Sequence, residues 1–207
     1  MNAYLIFILA LLVFNWLLSL VVETLNVRNL TTDIPGEFKG VYDASNYAKS
    51  QNYLKENTRF EQLQSTIMLP LTIAFILLGG FSWINGIAQG ASQHMIVQGL
   101  VFGGILVLIT QVVGLPFNIY DTFVIEEKYG FNRMTFGTWI LDQVKGACLG
   151  ALIGLPLLAA LLWIFQSVPM AWLWGWGLVT AFSLLLAYVA PTWIMPLFNK
   201  FEPLEEG

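Results

Sequence analysis

Two residue types that usually carry metal and redox chemistry are nearly missing from this 207-residue chain, which has one cysteine, Cys148, and one histidine, His94. A single cysteine rules out an internal disulfide. A catalytic zinc takes three protein ligands, typically His with Glu or Cys, and leaves one position open for water. One histidine cannot furnish an HExxH helix, so no catalytic and no metal-binding residues are expected in this chain. Charge is also scarce, at 11% of residues, and it is absent before Glu23, from residue 62 to 120 and from 146 to 199. The nine Lys and Arg form no basic patch, so no nucleic-acid partner is expected.

What fills the uncharged stretches is apolar. Five runs, Ala3 to Val22, Ile67 to Ile84, Ile96 to Leu115, Gly146 to Phe165 and Met170 to Val189, are each about 18 to 20 residues. That length crosses a hydrocarbon core about 30 Å thick at about 1.5 Å per helical residue. The fold class is therefore all-α integral membrane, with five transmembrane helices and long helical loops at 23–66 and 116–145. Ala3 to Val22 lacks the charged n-region of a secretory signal and reads as a retained span.

Five crossings put the first loop, the third loop and the tail on one side, and those three segments hold every charged residue. Arg28, Lys39, Lys49, Lys55 and Arg59 lie in the first loop, Lys128, Arg133 and Lys145 in the third, and Lys200 in the tail. Basic residues near span ends resist translocation. The N-terminus is thus expected outside, or lumenal, and the C-terminus, with Phe201, in the cytoplasm. The loops at 85–95 and 166–169 carry no Lys, Arg, Asp or Glu.

Within the first loop, Asp43 is placed to cap a helix running from about Ala44 to Ile84, some 60 Å at about 1.5 Å per residue. Tyr53, Phe60, Leu63 and Ile67 form one apolar stripe along it, and Pro70 lies inside it and should kink it. In the third loop, Asn118 to Tyr129 reads as a helix closed by Gly130, and Thr135 as the cap of a helix entering the fourth span. Pro191, Pro196 and Pro203 are expected to end or break the fifth helix. Gly146, Gly150 and Gly154 on one helix, with Gly99 and Gly103 on another, read as close-packing faces. Trp83, Trp163, Trp172 and Trp174 fall at span ends as an interfacial belt.

Glu126 and Glu127 are the obvious paired carboxylates. On an α-helix, neighbours point about 100° apart, so the two do not readily share a metal or a proton. A solvated or ion-paired role, with Lys128 or Arg133, is weighed against substrate contact. The polar residues at membrane depth, such as Asn15, Thr72, Gln111 and Ser183, are neutral. An ion-coupled carrier more often holds an ionisable group there.

One family shares the cytoplasmic segments. Pro116-Phe117-Asn118-Ile119-Tyr120-Asp121-Thr122-Phe123-Val124-Ile125-Glu126-Glu127-Lys128-Tyr129-Gly130-Phe131-Asn132, then Ile140-Leu141-Asp142-Gln143-Val144-Lys145-Gly146, closely resembles the third-loop signature of the type I CaaX prenyl endopeptidases. The tail Ala190-Pro191-Thr192-Trp193-Ile194-Met195-Pro196-Leu197-Phe198-Asn199-Lys200-Phe201-Glu202-Pro203-Leu204 resembles the same family just before its protease domain.

The resemblance implies a membrane zinc metalloprotease of the HExxH class, in which seven helices enclose a water-filled chamber. It also implies that the zinc ligands and two further helices follow the equivalent of Gly207. On that reading residues 1–207 are the N-terminal membrane domain of a larger zinc metalloendopeptidase that cleaves prenylated CaaX proteins or other peptides and membrane proteins. Zinc belongs to the full-length parent, and this chain alone should be inactive. The expected partners are the lipid bilayer, the chain's own C-terminal protease domain and a peptide or protein substrate. Glu126, Glu127, Asn132 and Arg133 are the candidates for docking that domain or its substrate. The membrane is a bacterial inner membrane or the endoplasmic reticulum. The alternatives are a non-enzymatic membrane scaffold and a small transporter or channel.

Overall fold

A computed structural model describes residues 2–36, 40 and 43–198 of the chain. Lys39, Lys200, Phe201, Pro203 and the rest of the tail lie outside the described residues. The described residues are helical throughout their regular structure, with no strand. Six α-helices follow in order: α1 (Ala3–Asn29), α2 (Ala44–Leu77), α3 (Gly80–Ala91), α4 (Met95–Tyr120), α5 (Phe136–Ser167) and α6 (Ala171–Val189). Five helical stretches are long and apolar enough to cross a membrane: Ala3–Asn29, Ala44–Leu77, Met95–Glu126, Phe136–Ser167 and Ala171–Leu197. Almost no side chain in them is enclosed by protein, as lipid-facing helices require. Ile84, Ala88, Ile125 and Trp139 are the buried hydrophobic residues among those described.

The caps read from the sequence form. Asp43 accepts from the Asn46 N–H at 3.0 Å at the start of α2, and Thr135 accepts from the Thr138 N–H at 3.2 Å at the start of α5. Each satisfies a backbone donor that the first helical turn leaves unpaired.

The expected single helix from Ala44 to Ile84 is instead two. α2 stops at Leu77, and Gly79 takes a φ of 78° before α3 begins at Gly80. Glycine enters this left-handed region without the steric cost a Cβ would bring. A Cβ on Gly80 would also run into the Phe75 ring. The second apolar run is thus broken two-thirds of the way along. α3 then carries the chain on to Ala91, so the loop expected at 85–95 shrinks to Ser92–His94.

The third loop differs too. No helix starts at Asn118, because α4 runs unbroken through Pro116 to Tyr120 and continues as a π-helical turn over Asp121–Glu126. The helix does close at Gly130, whose φ is 68°. The α-helical winding of the last helix ends at Val189, just before Pro191, as expected, but the chain stays coiled through Pro191 and Pro196. Its winding changes to π over Ala190–Ile194 and to 3-10 over Met195–Leu197.

The chain divides into two compact units, residues 1–86 with 105–133 and residues 87–104 with 134–207. In the first, Gln62 Nε2 donates to Thr24 Oγ1 at 3.3 Å and links α1 to α2. In the second, close approach is made by Gly99 and Gly103, beside which Leu162 and Leu158 pack, and by Gly175 beside Phe165. The stripe of Gly146, Gly150 and Gly154, expected to be a packing face, meets nothing within 4 Å. Trp83, Trp163, Trp172 and Trp174 are exposed, as belt residues are.

Candidate functional site

The polar half of α2, residues 44–66, carries five charged side chains and lies outside the apolar run. Its Lys49, Tyr53, Glu56 and Phe60 recur every three or four residues, so they share one helix face. That face meets the segment after α4. Phe60 stacks on Tyr120 with ring centroids 4.9 Å apart and lies 6.2 Å from Phe117. Tyr53 stands edge-on to Tyr129 at 5.5 Å and to Phe131 at 4.8 Å. Such pairs contribute about 0.5 to 1.5 kcal/mol beyond the area they bury. The expected single stripe therefore divides: Tyr53 and Phe60 pack, whereas Leu63 is 54% and Ile67 40% exposed.

Glu56 is the polar centre of this clasp. One of its carboxylate oxygens accepts from Lys128 Nζ at 2.6 Å and from the Tyr129 hydroxyl at 2.6 Å; the other accepts from Lys128 at 2.9 Å. The hydrogen bonds from Lys128 and then from Tyr129 hold the Glu56 carboxyl below the ordinary carboxylate range. Reciprocally, Glu56 pushes Lys128 and the Tyr129 hydroxyl upward. Lys49 completes the clasp with its ammonium 5.6 Å from the Phe131 ring centroid, a cation–π contact.

The turn so held begins from the π-helical segment. A π-turn adds a residue per turn relative to α, which rotates everything after it by about 100°. Ile125 is consequently buried, at 1% exposure, while Lys128 and Tyr129 face α2. The turn closes on the Glu126 carbonyl, which accepts from the Phe131 N–H at 2.9 Å and the Asn132 N–H at 3.3 Å, and on the Glu127 carbonyl, which accepts from Gly130 at 2.9 Å.

The four site residues named from sequence therefore cluster at one turn. Glu126 ends the π-segment, Glu127 and Arg133 are exposed, and Asn132 is partly covered. Of the two roles weighed for Glu126 and Glu127, solvated or ion-paired, the pairing with Lys128 does not form, because Lys128 is taken by Glu56 at 2.6 Å, and Glu127 is exposed. Tyr53 reads from sequence only as part of an apolar stripe, and Lys49 and Glu56 are not singled out there as site residues. Their partners lie some 72 residues away, and only the recurrence of polar and aromatic residues on one α2 face signals them.

In the second unit, Lys145 binds Asp142 at 3.2 Å, donates to the Leu197 carbonyl at 3.3 Å and lies 5.8 Å from the Phe198 ring. This ties the start of α5 to the end of the helix that follows α6.

Zinc does not fit the described side chains. Among the described residues no three His, Cys, Asp or Glu converge on a point.

A family described as "CAAX prenyl protease N-terminal, five membrane helices" matches residues 23–200. This chain belongs to that family. A CAAX prenyl protease 1 homolog from Oryza sativa subsp. japonica is 34% identical over 182 residues, covering 84% of this chain and 43% of the relative. CAAX prenyl protease 1 of Saccharomyces cerevisiae is 34% identical over 188 residues, covering 85% of this chain and 41% of that protein. The crystal structure of S. mikatae Ste24p superposes with a TM-score of 0.86 at 30% identity, covering 100% of this chain and 50% of that one. The chain thus spans less than half the length of the curated relatives it matches. As a member of the CAAX prenyl protease N-terminal family it is a multi-pass membrane protein, and the clasp between α2 and the turn at 126–133 lies within the matched region.

Proposed function

We propose that this chain is the membrane-embedded N-terminal domain of a zinc metalloendopeptidase similar to the CaaX prenyl proteases. In this role it walls part of an intramembrane chamber and docks a C-terminal protease domain. That domain supplies zinc and cleaves prenylated CaaX proteins or other peptides. The observation that carries the reading is the clasp. Charge-assisted bonds and a ring cluster hold a turn that leaves Glu127 and Arg133 open to a partner, an arrangement suited to presenting a docking surface. The acting face is cytoplasmic, supported by the nine basic residues on one side of the expected topology.

Docking is tested by capture. The purified chain is mixed with the separately expressed catalytic part of the Saccharomyces cerevisiae relative. Retention that Arg133→Ala weakens severalfold, with the helical circular dichroism unchanged, is the expected result. Equal retention by the wild-type chain and Arg133→Ala removes this residue from the docking surface, and no retention by a folded wild-type chain contradicts docking.

A further inference from the structure

The described residues include seven basic side chains. Lys128 and Lys145 are ion-paired, and Lys49 lies over the Phe131 ring. The other four all fall in the first unit, Arg133 at the turn after α4 and three, Arg28, Lys55 and Arg59, on α1 and α2. All three are exposed, and none has a carboxylate within ion-pair reach among the described residues.

The hydrogen bond from Gln62 to Thr24 sets the register of α1 against α2. Consecutive spans run in opposite directions, so one turn past Thr24 on α1 is level with one turn before Gln62 on α2. Arg28 lies four residues past Thr24, and Arg59 three before Gln62. Each therefore shares the face on which the two helices meet. Lys55 is one further turn from the apolar run on the Arg59 side. Of the nearby carboxylates, Glu56 holds Lys128, Glu61 accepts from Asn57 at 3.0 Å, Glu23 lies more than a turn toward the apolar run, and Asp33 lies beyond Arg28, past the end of α1. On the membrane side of the cations, Leu25, Leu63 and Ile67 are exposed. The surface thus changes from apolar to cationic within about two turns, the pattern of a helix end that leaves the hydrocarbon core.

We propose that Arg28, Lys55 and Arg59 bind the headgroup of an anionic phospholipid whose acyl chains lie along Leu25, Leu63 and Ile67. Charge complementarity selects this occupant. Guanidinium groups hold a phosphate through paired hydrogen bonds, basic pockets between membrane helices take anionic headgroups, and the apolar strip below suits chains that free phosphate lacks.

Native mass spectrometry of the full chain in detergent, titrated with phosphatidylglycerol and with phosphatidylcholine, tests this without reference to which membrane face the site occupies. The wild-type chain should prefer phosphatidylglycerol. R28Q/R59Q should lower that preference by roughly fivefold for each cation removed, while R28K/R59K keeps most of it. Lys55→Gln, at an open position that folding tolerates, should cost about fivefold alone and decides the matter where the double variant fails to fold. An unchanged preference in folded R28Q/R59Q or in Lys55→Gln overturns the site. Full displacement of the lipid by millimolar glycerol 3-phosphate overturns the assignment to a lipid.

Discussion

At the scale of single residues, the Glu56 carboxylate joins two segments that the chain separates by 72 positions. Its effect depends on pH with a definite sign. The folded carboxyl titrates below its ordinary value of 4.5, so its contribution is fully present above that pH and is lost as pH falls through the folded value. The pair is exposed, and exposed pairs contribute little. Glu56→Gln should therefore lower the melting temperature by only about 2 °C at pH 7. The difference from wild type should narrow as the pH falls below the ordinary carboxylate range. Melting curves at pH 7, 5 and 3 check this, and a gap that widens on acidification contradicts it. A residue reading of the sequence finds Glu126 and Glu127 because they are adjacent. It does not find Glu56, whose role exists only once α2 and the turn meet.

At the scale of elements, caps were legible and interruptions were not. Asp43, Thr135 and Gly130 act locally, through their own backbone, and so can be read without tertiary context. The Gly79-Gly80 break lies inside a run that is apolar throughout, where hydropathy gives no sign of a stop. The π-turn at 121–126 has no local signature either, so the face on which Lys128 points was not available from α-helical spacing. Gly79→Ala should cost about 1 kcal/mol, since alanine resists a φ of 78°, and Gly79→Asn should cost less. The glycine stripes separate as cleanly. Gly99→Ala places a methyl 2.6 Å from the Leu162 side chain and should lower the melting temperature of the purified protein, whereas Gly150→Ala meets open space and should not. Equal effects of the two would mean that Gly150 is also a packing position.

At the scale of the whole molecule, the class and the number of spans follow from the length and spacing of the apolar runs, because a bilayer fixes how long an uncharged helix must be. The family followed from the long third-loop and tail signatures, and the match over residues 23–200 agrees. Orientation rests on charge alone. Ser92→Cys and Ser50→Cys, each in a Cys148→Ala background, should label from opposite sides of sealed membranes with an impermeant thiol reagent, and labelling from the same side would show the span count to be wrong.

The proposed role of this chain is to supply the membrane part of a protease whose chemistry resides elsewhere. Its most direct test is a graft in which residues 23–200 replace the matching region of the Saccharomyces cerevisiae CAAX prenyl protease 1. In membranes the graft should bind zinc and cleave a prenylated CaaX peptide, and the ungrafted chain should do neither. Arg133→Ala in the graft should raise the substrate concentration needed while zinc stays bound. A folded, zinc-loaded graft that cleaves nothing, or chelator-sensitive cleavage by the ungrafted chain, would contradict the account.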